Sequence, residues 1–303
     1  MRPSFRLSPR PAAMAAAALF ALALAGCSPQ DDDNSADASP ATGASAASGT
    51  ATAACAPGSL ATRAAGKLTV GTDNPAYDPW FSDNDPANGK GYESAVAYAV
   101  AKQLGYGPSQ VVWQKVPFNS AFAPGRKSFD FDINQVSISA DRKKAVDFSP
   151  GYYDVRQALV APKGSKILSA HSLADLKGAK LGAQVGTTSL DVIRDVVKPA
   201  KQPAVFQRND LAVAALKNGQ VDGIVVDLPT AFYITGAEVS GAKVVGQFAG
   251  TGGTPEQFGL VLDKGSSLTP CVSSAVTALR ANGTLAALEK KWLSDAVDAP
   301  VLK

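Results

Sequence analysis

The chain has 303 residues, 46% hydrophobic and 18% charged. That excludes collagen-like, coiled-coil and wholly disordered proteins and allows one or two ordinary domains. The single histidine, His171, excludes His-rich zinc sites and argues against Ser-His-Asp catalysis; Cys27, Cys55 and Cys271 have no Cys-x-x-Cys spacing, which excludes a thioredoxin-like or Cys-only metal site. The formal charge of +3 is carried by Arg2, Arg6 and Arg10, because without them bases and acids balance at 26 each. No general electrostatic case for nucleic-acid binding survives.

Those arginines precede a small, apolar run from Ala12 to Ala25, followed by Gly26 and Cys27. This order reads as a secretory signal over 1–26. The run is too short to cross a membrane, which takes about 20 apolar residues. Leu24-Ala25-Gly26-Cys27 resembles a bacterial lipobox, and the resemblance implies cleavage before Cys27 and its lipidation. From Ser28 to Ala54 the chain is mostly Ala, Ser, Thr, Gly and Asp, too poor in apolar surface to offset the entropy of ordering. Residues 27–55 are therefore expected to be a flexible tether. Its acids, Asp31, Asp32, Asp33 and Asp37, leave the body mildly basic.

The body alternates strands with helices. Lys67–Thr72 reads as a strand entering a loop rich in Asp, Asn and Pro. Val96, Ala99, Val100 and Leu104 mark a helix over Glu93–Leu104. Val111–Val116 is a strand. Phe129, Phe131 and Ile133 alternate with Asp130, Asp132 and Asn134, the period of a half-buried strand that leaves its polar face solvated. Ser139 can cap a short helix over Ala140–Val146, and Ala158–Ala161 is a strand. Strands follow over Ala179–Gln184, Ala204–Phe206, Val221–Val226 and Lys243–Val245, with helices Ser189–Val197, Leu211–Leu216 and Thr230–Thr235 between them. Gln257–Leu262 is a further strand, and Leu268–Trp292 is helical with a break at Asn282-Gly283. This alternation predicts an α/β fold with largely parallel sheets. Residues 163–250 hold a β-α unit set of their own, which predicts two lobes: 56–160 with 254–303, and an inserted 161–253. A small-molecule site between lobes is then the default expectation.

Three constellations carry chemistry. Ser137-Ile138-Ser139-Ala140-Asp141-Arg142 places hydroxyls at a strand end and a guanidinium on the next helical turn, able to grip a carboxylate bidentately. Taken alone, it is equally the pattern of a solvated surface arginine. Gly186-Thr187-Thr188 follows a strand and opens a helix; it suits an anion or simply an N-cap. Asp227, at the end of Val221–Val226, can receive an ammonium or cap the next helix.

Cation, hydroxyls and acid at strand ends together match a zwitterion, and the body from 67 to 293 resembles the polar-amino-acid substrate-binding proteins of ABC importers, solute-binding protein family 3. The matching stretches, in the family's order, are Val70–Asp73 through Tyr77-Asp78-Pro79-Trp80, Phe129-Asp130 through Arg142, Val146–Ser149 with Tyr152-Tyr153, Leu176-Lys177-Gly178 through Thr188, Gly219–Gly223 with Asp227, and Leu279–Thr284 with Lys291-Trp292. Ser139 stands where the family has threonine. The resemblance implies a two-lobed periplasmic-binding-protein-like fold of type II, with the second lobe inserted into the first. By position, Arg142 would bind a ligand α-carboxylate with Thr188, Thr187 and Ser137, and Asp227 the α-ammonium. Tyr77, Trp80 and Phe118 would line the side-chain pocket. Asn134 and Gln135 replace the family's small residues, and Asp73 and Asp132 would meet a cationic ligand group. With Cys27 lipidated, Cys55 and Cys271 form an even remainder outside the cytoplasm, which predicts a bridge; in the family layout both lie in the first lobe.

The implied function is an extracytoplasmic, lipid-anchored protein that captures a free amino acid and delivers it to an ABC permease, with no cofactor, no metal and no nucleic acid. Two rivals share the fold: a cyclohexadienyl or arogenate dehydratase-like enzyme, whose acid-base work would fall to Asp132 or Glu93, and a ligand sensor that reports to a signalling partner.

Overall fold

A computed structural model of the chain describes residues 55–56, 58–249, 255–293 and 299–303. All of them belong to one compact unit, Ser45–Lys303. The signal, Cys27 and most of the tether lie outside the described residues.

The strands are β1 (Leu68–Thr72), β2 (Val111–Lys115), β3 (Phe131–Asp132), β4 (Val146–Val155), β5 (Gln157–Ala161), β6 (Leu181–Gln184), β7 (Ala204–Phe206), β8 (Gly223–Asp227), β9 (Lys243–Phe248), β10 (Glu256–Asp263) and β11 (Val301–Leu302). The helices are α1 (Tyr92–Gln103), α2 (Phe118–Ala121), α3 (Arg142–Ala145), α4 (Thr188–Asp191), α5 (Asn209–Lys217), α6 (Leu228–Tyr233), α7 (Thr269–Ala281) and α8 (Thr284–Leu293). α4 and α6 run on as wider turns over Val192–Val197 and Ile234–Glu238.

The strands form two sheets, ordered β2-β1-β3-β10-β4 and β11-β9-β5-β8-β6-β7. β1 is parallel to β2 and β3, whereas β10 runs antiparallel to β3 and β4. In the second sheet β6 is parallel to β7 and β8, and β5 is antiparallel to β8 and β9. This is the two-lobed α/β fold of type II periplasmic binding proteins.

The chain passes from the first sheet to the second at Arg156, between β4 and β5, and returns before β10. The first crossing precedes the expected boundary at 160, because Gln157 already pairs with Asp227 of β8. The C-terminus also departs from expectation. Val301 and Leu302 pair with β9 in the second sheet rather than staying with the first. Gly246 makes this possible: a Cβ there would lie 2.7 Å from the Leu302 side chain.

The first lobe's core shows why its helices form. Tyr92, Val96, Ala97, Val100 and Ala101 make one buried face of α1. It packs with Val272, Ala275, Val276 and Leu279 of α7 and with Phe131, Ile133 and Leu260 of the sheet. Gly283, at φ 78°, makes the expected break between α7 and α8. The ten-residue β4 had no strand signal, because Pro150-Gly151 interrupts it. Edge strands tolerate such a proline, and β4 closes its sheet at one edge, with a register shift opposite Gly151.

A disulfide joins Cys55 to Cys271, 5.4 Å apart between Cα atoms and 216 positions apart in sequence. It ties the segment before β1 to the first turn of α7. Reduction or Cys271→Ser should cost about 2–4 kcal/mol of stability, chiefly by freeing the unfolded chain. Urea unfolding with and without reductant measures it, and identical midpoints would refute a structural role for the bridge.

Candidate functional site

The cavity between the lobes is lined by residues from both. Asp73, Tyr77, Phe118, Asn134, Gln135, Ser137 and Arg142 come from the first lobe. Gln184, Thr187, Thr188, Ser189, Asn209, Val226 and Asp227 come from the second. Ten of the twelve ligand-contact residues expected from sequence therefore meet at one place. The remaining space is about 30 Å³, room for a water or two. An amino acid does not fit in that space in this conformation.

Trp80 and Asp132 are the two exceptions. Trp80 is fully buried in the first lobe, edge-on to Tyr92, Tyr153 and Phe258 with centroids 5.4–6.1 Å away. Only its indole N–H reaches the second lobe, donating to Thr230 Oγ1 at 2.8 Å. The aromatic signal in the opening loop was real, but the large ring fills the core rather than the cavity.

Arg142 heads α3, where Ser139 Oγ accepts its backbone N–H at 3.2 Å. Its guanidinium lies 4.3 Å from the Phe122 ring centroid and 5.8 Å from that of Phe118. It donates to the Ser137 carbonyl at 2.6 Å and, across the cleft, to the Gly186 carbonyl at 2.9 Å. Burial lowers its pKa, while Glu256, Asp191 and Asp227 oppose that shift. Two carbonyls leave part of its five-donor fork free for an anion. Gly186 has φ 75° and packs so closely on Asn119 of the first lobe that a Cβ would collide with it.

Thr187 caps α4: its Oγ1 accepts from the Leu190 amide at 3.2 Å and donates to the Gln184 carbonyl at 2.7 Å. Thr188 Oγ1 instead faces Ser137 Oγ, 3.4 Å away. Asp227 ends β8 and accepts from Gln157 Nε2 at 2.7 Å. Burial pushes its pKa up to about 8, and Glu256 adds to the shift. Asp73 is likewise raised by burial. Tyr77 reaches across to Asp210 Oδ1 at 3.1 Å, and Arg208 pairs with that same carboxylate at 2.8 Å.

The polar face of the 129–134 strand is not solvated as expected. Asp132 is fully buried, off the cavity, and neither carboxylate oxygen has a hydrogen-bond partner. Burial and the charges of Glu93 and Asp73 raise its pKa well above the usual range, which favours the neutral form. Glu93 lies behind Gln135 rather than in the cavity. It accepts from the Gln135 amide at 2.7 Å and from the Gln135 side chain and the Tyr152 hydroxyl. It thereby pins Gln135 at φ 49°, and burial pushes its own pKa up to about 7. Neither Asp132 nor Glu93 can reach a ligand in the cavity, so the enzyme reading loses both groups first assigned to it.

Sequence reasoning missed Gln157, Gln184 and Glu256. Glu256 accepts from Thr188 Oγ1 at 2.6 Å and from Ser137 Oγ. Its only signal was a lone acid heading an apolar strand.

Residues 68–295 match the model of bacterial extracellular solute-binding proteins, family 3. The glutamine-binding protein GlnH of the Bacillus subtilis ABC transporter is 28% identical over 71% of this chain and 77% of its own length. An ancestral arginine-binding protein solved with arginine has a TM-score of 0.63 and 33% identity, covering 75% of this chain and 98% of its own. The ancestral amino-acid-binding protein AncCDT-1, described as a precursor of cyclohexadienyl dehydratase, has a TM-score of 0.62 and 29% identity, covering 75% and 95%. Fold and cleft define a two-lobed solute-binding protein. The chain belongs to family 3 of the bacterial extracellular solute-binding proteins, and it is an extracytoplasmic amino-acid-binding component of an ABC importer.

The raised carboxylates fix a pH dependence. A carboxyl whose pKa is higher folded than unfolded contributes stability at low pH and loses it as pH rises through the folded value. Asp227 (about 8) and Glu93 (about 7) therefore make the melting temperature fall between pH 5 and pH 8. Asp227→Asn should flatten that fall and raise the melting temperature at pH 8. An unchanged slope would place the Asp227 pKa in the ordinary range.

Proposed function

We propose that the cleft captures an amino acid with a cationic side chain and that lobe closure presents it to the permease. The observation that carries this reading is the charge inventory of one cavity: Arg142 is the only base among the residues lining it, and Asp73 and Asp227 both face it. Arg142, with Ser137 and Thr188, takes the α-carboxylate, and Asp227 takes the α-ammonium. Asp73 is left for a second cation on the side chain, between Tyr77 and Phe118. Each lobe holds part of the ligand, so closure completes the set. Hinge closure of this kind is a known route to ligand-coupled switching.

Calorimetry with arginine, lysine, glutamine and glutamate tests the assignment. Arg142→Ala and Asp227→Asn should each cost about 2–5 kcal/mol, the usual penalty for orphaning a desolvated charge, or roughly 30- to 4000-fold in Kd. Arg142→Lys should also weaken binding, since it keeps the charge but loses the planar fork. Thr188→Ala should cost less, about 0.5–1.5 kcal/mol. Asp73→Asn should weaken the cationic ligands and leave glutamine unchanged. The exposed Lys144, paired with Asp141 at 2.6 Å, is the control, and Lys144→Ala should change nothing. If Arg142→Ala and Asp227→Asn bind within about threefold of wild type, well inside one 1.4 kcal/mol step, the zwitterion reading is wrong.

One observation favours a second reading. Asp227, protonated up to about pH 8, is a proton donor inside the cleft, which a dehydratase needs. Loss of the cyclohexadienyl substrate on incubation with the protein would select the enzyme; binding without turnover selects the transport component.

Anchoring is also proposed, from Leu24-Ala25-Gly26-Cys27. Cys27→Ser should release the protein from the membrane fraction. A mature N-terminus other than a modified Cys27 would refute the anchor.

A further inference from the structure

Glu256 heads β10, where the chain comes back from the second lobe to the first. Its side chain is half-buried and points at the site just assigned to the ligand carboxylate. Oε1 accepts from Ser137 Oγ of the first lobe and from Thr188 Oγ1 of the second, the latter at 2.6 Å. Gln157 Nε2 approaches its two oxygens at 3.5 and 3.4 Å. Among the charges that keep the half-buried Arg142 guanidinium protonated, Glu256 contributes most. One carboxylate of the chain thus sits on both hydroxyls, near the Arg142 guanidinium, and bridges the lobes.

We infer that Glu256 sets ligand affinity by holding the carboxylate site itself, latching the lobes together until an incoming α-carboxylate displaces it. This rests on the assignment of Arg142, Ser137 and Thr188 to that carboxylate. Two carboxylates cannot share one pair of hydroxyls and one guanidinium without strong repulsion, so ligand and Glu256 exclude each other there. The tightness of the cavity agrees, because around it the lobes already touch through Glu256–Thr188, Arg142–Gly186, Trp80–Thr230 and Tyr77–Asp210. The opposite role is a Glu256 that stays in place and, with Asp227, receives the ligand ammonium.

Glu256→Gln separates the two, since it keeps size and hydrogen bonding but removes the charge. On the full mature protein, calorimetry with L-arginine should show tighter binding by Glu256→Gln. If about nine-tenths of wild-type molecules are latched, releasing the latch tightens apparent binding about tenfold. Glu256→Ala should act in the same direction. Equal or weaker binding by both variants overturns the inference, and weaker binding assigns Glu256 to the ammonium. A second measurement uses no ligand. The distance between spin labels on exposed positions of the two lobes should lengthen or broaden in Glu256→Gln relative to wild type. An unchanged distribution overturns the latch. If the wild-type protein binds none of the amino acids offered, the reading of the cleft as an amino-acid site fails, and the label distances alone decide the latch.

Discussion

Among the described residues that line the cavity Arg142 carries the one guanidinium, and the rest of the site follows from where it is fixed. Arg142 is stacked on Phe122 and tied to a carbonyl on each lobe. Stacking and carbonyl bonds suit Arg better than Lys, whose ammonium is strongly hydrated and offers no planar fork. Because it spans the gap, Arg142 is both a recognition group and part of the closing contact. Whatever anion lies beside it, from a ligand or from the chain, also decides whether the lobes stay together.

The carboxylates around it are arranged at different depths. Asp73 and Asp227 face the cavity, whereas Glu93 and Asp132 are buried out of its reach. Burial raises all four, so near neutral pH the cleft carries less negative charge than its composition implies. A cationic ligand would favour ionisation of Asp73 and Asp227 on arrival, which couples binding to proton release. Glu93 acts differently: by accepting the Gln135 amide it stabilises a left-handed backbone at a residue with a side chain, a conformation that ordinarily favours glycine. The small residue that the family resemblance expects beside Asn134 is thus replaced by a glutamine held from behind.

Much of this was legible in the sequence. The alternation of periods specified α/β lobes, and strand ends followed by Ser, Thr, Arg and Asp marked positions that the fold brings to one cavity. What was not legible shares one cause: the outcome depends on what lies opposite in space. Phe129 to Asn134 alternates like a half-solvated strand, yet Asp132 is covered, because β3 is an inner strand between β1 and β10. β4 contains Pro150-Gly151, and only its place at a sheet edge makes a ten-residue strand possible there. Trp80 lies in the right loop, but its size lets it complete the core with Tyr92, Tyr153 and Phe258 rather than face a ligand.

Glu256 is the clearest instance. By sequence it is a polar residue starting a strand. Its consequence comes from β10 being a crossing strand: Glu256 pairs with Val155 at the very start of the first lobe's sheet, and its side chain reaches Thr188 of the second lobe. A side chain at such a point can touch both lobes although its backbone belongs to one. Charge there acts on the closing equilibrium directly, because any group that contacts both lobes favours the state in which both are near. Glu256, at the second crossing, is therefore a position where affinity can change without replacing the groups that recognise the ligand.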